Sequence, residues 1–382
     1  MKRTISITTG TRADYGILRP VLKEIEKSRK LKLILIVTGM HLSKKHGYTI
    51  NDIKKEKFKI STKFQMIPKG NTNYDMSVVL GKGVIQFSKV FKKFKPDINI
   101  ILGDRDEALA SALASYHMNI PNAHIHGGDK TLAGIDEYNR HAITKISNIH
   151  FAATQKSKNR ILKMGENKKN IFLTGSPSID DIIKGEITSK KNLEKKYSIK
   201  LSGDEILLLQ HPVTTQSNES KNQIKNILTA IMKSGKRVLV ILPNSDAGNN
   251  EIFQEINKIK KKQQVVKIFK TLPRMDYLGL LKNCGILIGN SSSGMIDSSY
   301  FGIPVVNIGI RQQNRERGSN VIDVTNYSNN LILKAINQSF KHKNKIHQSK
   351  PYGVKDASKK IRSILEVIEI NDKLIQKQIT YD

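Results

Sequence analysis

A single cysteine, Cys284, in a chain of 382 residues leaves nothing for an internal disulfide to pair with and suits a reducing compartment. No apolar stretch approaches the length of a membrane span, and the N-terminus enters an apolar strand run almost at once. A membrane anchor and a signal peptide are therefore not expected, and a cytoplasmic location is. Acidic residues are scarce: 33 Asp and Glu stand against 65 Lys and Arg, a formal net charge of +32. Such a balance invites a nucleic-acid reading. Two further absences argue against it. The lysines are scattered over every presumed surface helix instead of forming one stripe, and aromatic residues, only 6% of the chain with no tryptophan, do not alternate with arginine as in single-strand binders. A basic surface of this kind would still draw in an anionic small substrate, so a small molecule is the expected partner. No P-loop and no Gly-x-Gly-x-x-Gly fingerprint occurs anywhere.

What the chain does have is alternation. Apolar runs at 4–9, 33–38, 98–102, 122–125, 150–153 and 171–174 are separated by amphipathic segments near 17–29, 76–94, 105–117, 138–147 and 155–164. A Lys-rich, poorly periodic stretch at about 184–203 follows and reads as an interdomain connection. A second series then begins, with strand runs at 205–210, 237–242, 265–270, 285–289, 304–308 and 321–324. This is the pattern of parallel βαβ units. The fold class expected is α/β, with two doubly wound, Rossmann-like domains facing across a cleft: residues 1–183, residues 204–354, and a last helical stretch, 355–382, crossing back to the first domain. No sequence repeat links the halves. In such sheets ligands sit beyond the carboxyl ends of the strands, so polar residues just after each strand run carry the functional information.

Those positions are heavily loaded. After the run at 285–289 comes Asn290-Ser291-Ser292-Ser293-Gly294, a small polar turn leading into a helix-like segment. Its unpaired N–H groups suit a phosphate, although an ordinary serine cap uses the same groups. Gly10-Thr11-Arg12-Ala13-Asp14-Tyr15-Gly16 follows the first strand as a glycine-bounded turn whose guanidinium fits forked phosphate contacts, with Asp14 also able to cap a helix. His41, after the second strand, reads as structural. Gly103-Asp104-Arg105-Asp106-Glu107 crowds three carboxylates and an arginine into four positions, with Asp104 and Glu107 spaced as a capping box or available for catalysis. His124 and His126 would share one strand face, followed by Gly127, Gly128 and Asp129, then Asp136, Glu137, Arg140 and His141. With no cysteine and no third spaced histidine the set is a poor metal site, so no metal and no cofactor are expected. Acid–base chemistry suits it better, because histidine titrates near neutrality. In the second half, His211 precedes Pro212 in an extended segment, where it could give a charge-assisted hydrogen bond to a diphosphate. Pro243-Asn244-Ser245-Asp246, Leu272-Pro273-Arg274 and Gly309-Ile310-Arg311 occupy other strand ends.

Taken in order, these motifs resemble the hydrolysing UDP-N-acetylglucosamine 2-epimerase family. The match runs from Gly10–Gly16 through Gly103-Asp104-Arg105, the His124–Asp129 run, Arg140-His141-Ala142-Ile143-Thr144-Lys145, His211-Pro212-Val213-Thr214-Thr215, Pro243–Gly248, Gly289-Asn290-Ser291-Ser292 and Phe301-Gly302-Ile303-Pro304 to Arg311. The Arg12-Ala13-Asp14-Tyr15 form looks like the hydrolysing branch, since non-hydrolysing members carry Pro-Glu there. The resemblance implies a glycosyltransferase-B-type fold and a homo-oligomer, dimer or tetramer. It implies loss of the C2 proton while UDP leaves C1, then hydration of the glycal to the free 2-epimeric sugar. N-acetylmannosamine is the prototype product, in sialic-acid-like biosynthesis. Carried over by motif, Arg12, His211, Ser291, Ser292 and Arg311 would hold the diphosphate. Asp104 and Asp136 would sit at the sugar with Arg105 beside them, and Asp297 would take the place of a ribose-binding Glu. Where members have Glu, this chain has His126, so either His126 itself or Asp129 would serve as the C2 base. Alternatives are the same chemistry on a UDP- or GDP-linked 2,4-diacetamido-trideoxy sugar, as in the legionaminic acid pathway, or a non-hydrolysing epimerase. A glycosyltransferase or a basic nucleic-acid binder is more remote.

Overall fold

The computed structural model describes residues 2–380 except 69, 71, 133 and 354. Thirteen strands form two all-parallel sheets among the described residues. The first holds β1 (Arg3–Thr9), β2 (Leu31–Val37), β3 (Ile60–Lys63), β4 (Ile98–Leu102), β5 (Asn122–Ile125), β6 (Ile149–Ala152) and β7 (Ile171–Leu173), ordered β3-β2-β1-β4-β5-β6-β7. The second holds β8 (Ile206–Leu209), β9 (Val238–Ile241), β10 (Val265–Phe269), β11 (Ile286–Gly289), β12 (Val305–Ile308) and β13 (Val321–Val324), ordered β10-β9-β8-β11-β12-β13. Helices cover both faces of each sheet, which is why β8, β9, β11 and β12 are buried at every position and β8, β9 and β11 read as unbroken apolar runs. The expected α/β class and the pairing of two doubly wound sheets are what the structure has.

Each sheet reverses strand order once, between β1 and β4 in the first and between β8 and β11 in the second. The two reversals open crevices at the strand ends that carry Gly10–Asp14, Gly103–Arg105, His211 and Asn290–Ser292, and these crevices share one cleft.

Several local expectations are revised. β3, with sequence Ile60-Ser61-Thr62-Lys63, is an edge strand with no fully buried position and gave no apolar run to read. The Gly10–Gly16 turn is largely helix. Thr11 caps the Asp14 N–H while the Asp14 carboxylate caps Gly10 and Thr11 N–H, so the helix Arg12–Lys27 starts at once. The capping box anticipated at Asp104 and Glu107 does not form: the next helix, Asp106–His117, is preceded by Arg105 without a side-chain cap. The Lys-rich stretch contains a helix, Lys190–Tyr197, held by the buried Leu193. The final stretch is two helices, Ala357–Val367 and Asp372–Ile375, whose Ile361, Leu365 and Leu374 join the core of the first sheet with Ile5, Leu18 and Val21.

Candidate functional site

The cleft has about 280 Å³ of room and is lined from both halves. From the first come Arg12, Asp104, Arg105, His126 and Arg140, and from the second His211, Asn244, Arg274, Ser291, Ser292, Asp297, Arg311 and Arg315. Nine of the eleven singled-out residues therefore converge: Asp104, His126, Arg12, Arg105, His211, Ser291, Ser292, Asp297 and Arg311. Asp129 and Asp136 do not line the cavity and act on residues that do.

The seat at the end of β11 depends on Asn290. Its fully buried amide accepts from the His211 N–H at 2.8 Å and donates to the His211 carbonyl at 2.8 Å, tying the ends of β8 and β11 together. Gly289, at φ 132°, allows this approach, since a Cβ there would lie 2.0 Å from the Leu209 carbonyl oxygen. The helix that follows, Ser293–Ile296, has four residues and no side-chain cap. The helix-terminus argument is thus weak here, and the seat consists of hydroxyls beside His211 and Arg311.

His211 also departs from expectation. Burial and then the neighbouring Arg311 push its pKa down to about 3, so its ring is neutral. Asn244 N–H donates to Nδ1 at 3.2 Å, which leaves the proton on Nε2. It is a neutral donor, not a cation. Arg311 reaches the Asn290 carbonyl at 3.3 Å and crosses the cleft to Asp136 at 2.7 Å. Arg12 ion-pairs with Asp52 and donates to Thr271 Oγ1 at 2.9 Å. Arg105 is shared between Glu107 at 3.2 Å and Asp246 at 3.5 Å. Beside it, burial and then Glu107 push the Asp106 carboxyl up to about 7.

On the other wall Asp104 ion-pairs with Arg140, a buried side chain. His126 lies one residue beyond the end of β5 at φ 64°, so strand alternation no longer sets its direction. The expected shared face with His124 is lost for that reason. His124 bonds the Gly103 carbonyl at 2.7 Å and Thr144 Oγ1 at 3.2 Å, whereas His126 contacts Asp129 at 2.9 Å and Ser176 Oγ at 2.8 Å. No group of three or more His, Cys, Asp and Glu among the described residues could hold a metal. His41 is a core histidine between Thr9 and Thr49 hydroxyls.

Asp297 is buried and held by both Arg274 nitrogens at 2.8 Å and by Ser293 Oγ at 2.5 Å. Arg274 was visible in sequence only as a strand-end residue. Arg315, Asn290 as a clamp, Ser176 and Ser178 were not singled out. The i, i+4 spacing of Arg311 and Arg315 is the signal that could have flagged Arg315.

Two facing doubly wound sheets, with a cleft of arginine, histidine and serine at both reversal points, define a glycosyltransferase-B-type nucleotide-sugar enzyme. Solved structures share this fold. A UDP-GlcNAc 2-epimerase of Methanocaldococcus jannaschii, in complex with UDP-GlcNAc and UDP, superposes with a TM-score of 0.79 at 22% identity, covering 95% of this chain and 99% of that one. One from Neisseria meningitidis bound to UDP-GlcNAc also gives 0.79, at 20% identity and with 95% and 99% covered. The chain belongs to the UDP-N-acetylglucosamine 2-epimerase family, whose sequence profile matches residues 23–366.

Among curated relatives, it is 36% identical over 381 residues to a hydrolysing UDP-N,N'-diacetylbacillosamine 2-epimerase of Legionella pneumophila, with 100% of each chain covered. It is 36% identical to a hydrolysing GDP/UDP-N,N'-diacetylbacillosamine 2-epimerase of Campylobacter jejuni, with 84% of each covered. A UDP-N-acetylglucosamine 2-epimerase of Neisseria meningitidis is 34% identical, with 89% of this chain and 88% of that one covered. As an enzyme class, hydrolysing nucleotide-sugar 2-epimerase is the assignment these comparisons support.

Proposed function

We propose that this chain converts a UDP-linked 2-acetamido sugar into UDP and the free 2-epimer, with UDP-N,N'-diacetylbacillosamine as its substrate. The observation that carries the reading is the convergence, in one cleft, of an anion seat (His211, Ser291, Ser292, Arg311) and a proton-handling wall (Asp104, His126). The sugar assignment rests on the Legionella relative that aligns with this chain end to end. UDP-N-acetylglucosamine is the second reading, favoured by the Neisseria relative.

The chemistry follows from what each wall supplies. A C2 proton beside an acetamido carbon is only weakly acidic, so a placed base must act while the departing diphosphate is stabilised. His211 Nε2–H, the Ser291 and Ser292 hydroxyls and the Arg311 guanidinium meet the negative charge that grows on the leaving group. His126 takes the C2 proton, the C1–O bond breaks, and a glycal and UDP result. Water gives a proton to the Asp104 carboxylate, paired with Arg140, as its oxygen adds at C1, and Asp104 delivers that proton to the other face of C2. A diphosphate reaching Arg311 competes with Asp136, so arrival of the leaving group frees the Asp136 carboxylate for the sugar. At the ribose end, Asp297 has given two acceptor sites to Arg274 and one to Ser293. One of its four lone-pair sites remains for a ribose hydroxyl.

Incubation with UDP-N,N'-diacetylbacillosamine, its GDP counterpart and UDP-N-acetylglucosamine, followed by proton NMR, tests the reading. The expected result is free 2-epimeric sugar plus UDP, fastest with the first substrate. Intact substrate in all three tubes, or a 2-epimer still attached to its nucleotide, would sink it. Nucleotide release that required an added acceptor would point to a glycosyltransferase instead.

A further inference from the structure

Behind the cleft wall runs a chain of buried hydrogen bonds. His126 Nδ1 lies 2.9 Å from Asp129 Oδ2, and His126 Nε2 lies 2.8 Å from Ser176 Oγ, itself 2.8 Å from Ser178 Oγ. Asp129 is fully buried and is held from two more sides, by Ser157 Oγ at 2.8 Å and by Arg315 Nη2 at 2.9 Å. Arg315 comes from the second half of the molecule, four residues beyond Arg311, and is steadied by Gln312 at 3.2 Å. Burial alone would raise the Asp129 pKa. The charge and hydrogen bond of His126, then Arg315 and Ser157, outweigh it and hold the carboxyl well below its usual range. An ionised carboxylate only accepts, so His126 Nδ1–H donates to Asp129 and Nε2 is the nitrogen left to act as the base. The Ser176 hydroxyl then donates to Nε2.

Building on the 2-epimerase reading, we propose that Arg315, Asp129, His126 and Ser176 form one proton-handling unit, in which Arg315 and Asp129 are positioning residues and Ser176 is the hydroxyl that relays a proton to the His126 lone pair. When substrate enters, the C2 proton passes to Ser178 Oγ in the cleft wall as Ser178 gives its own proton to Ser176 Oγ and Ser176 gives its own to Nε2. The C2–H electron pair becomes the C1–C2 double bond, and the C1–O pair leaves with UDP. The imidazolium donates from Nδ1 to Asp129 and from Nε2 to Ser176 Oγ, so the transferred proton and the positive charge both have a place. The unit closes only across the two halves, because Arg315 stands on the nucleotide side. Asp129 is thus placed behind the base and does not touch substrate.

Two variants and one spectroscopic measurement test the unit. In the wild-type chain, ¹⁵N NMR of labelled histidine should show His126 protonated at Nδ1. Asp129→Asn offers an amide donor to Nδ1 and should move the proton to Nε2, lowering kcat by about 10²–10⁴-fold with KM nearly unchanged. Ser176→Ala removes one oxygen, should leave the unfolding midpoint within a few degrees, and should lower kcat more than about tenfold. An Nε2-protonated His126 in the wild type, or full kcat in Ser176→Ala, would overturn the proposal. A wild-type chain that turns over none of the three nucleotide sugars would instead refute the epimerase reading, since the tautomer is read without turnover.

Discussion

Changing Asn290 to Asp separates the clamp at the reversal point from the electrostatics of the seat. The replacement is nearly isosteric. The Asn290 amide makes two reciprocal bonds to the His211 backbone, both at 2.8 Å and both buried. Asp keeps the acceptor for His211 N–H but sets a second acceptor against the His211 carbonyl, at a cost of about 1–3 kcal/mol for the unsatisfied pair. Asn290→Ala loses both bonds, at a similar total cost, and adds no charge. The difference between them is therefore electrostatic. With a phosphate seated on Ser291 and Ser292, at roughly 5 Å and an effective dielectric of about 20, repulsion is on the order of 3 kcal/mol. Calorimetric titration of UDP into both variants should show Asn290→Asp binding about 100-fold more weakly than Asn290→Ala, with the gap narrowing as salt is raised. Equal affinity within threefold would refute placement of the diphosphate at this turn.

Other outcomes follow from the same geometry. Gly289→Ala puts a methyl 2.0 Å from a backbone oxygen of the paired strand at φ 132°, which neither strand can relieve. Overpacking and the unfavourable φ should together cost about 3–5 kcal/mol, seen as a lower urea midpoint, and a loss under 1 kcal/mol would contradict the packing. Asp104→Asn should cut turnover by about 10²–10⁴-fold while UDP affinity stays within a few fold, because the diphosphate seat lies on the other wall. His41 and His124 are held by burial at about 3, against 6.5 in an unfolded chain. Below pH 6.5 the unfolded chain binds protons that the native chain does not, so stability falls as pH drops and is flat above. At pH 5 the two together should cost about 4 kcal/mol, so a variant with both histidines replaced by Asn should lose less stability than the wild type between pH 7 and pH 5, and equal losses would refute this.

β8, β9 and β11 were legible because parallel strands covered on both faces are runs of Ile, Leu and Val with no polar alternation to confuse them. β3 was not, since an edge strand of four residues with two hydroxyls has little apolar surface to show. Loaded strand ends were legible for a topological reason: side chains just past a buried strand have only the crevice to face. Arg12, Asp104, His126, His211, Ser291 and Arg311, all read from strand ends, line one cleft. That topological rule failed where local backbone geometry changes a side chain's direction. The left-handed conformation of His126 turns it away from the face that period two assigns, and no residue pattern announces it.

By itself, the order of apolar runs determined two doubly wound sheets, and the motifs after those runs determined a nucleotide-sugar 2-epimerase family chain. The first follows from short-range rules of burial and spacing that a linear string records, and the second from the resemblance of those motifs to that family. Which groups are charged, which are spent on partners and which are free was decided only by the fold. Asp129 became the buried acceptor of Arg315, 186 residues away. His211 became a neutral donor because Arg311 and burial exclude its charge. Asp136 was joined to Arg311 across the cleft. Such pairings depend on distances between segments remote in sequence, and charge and proton position in a buried site depend on those distances.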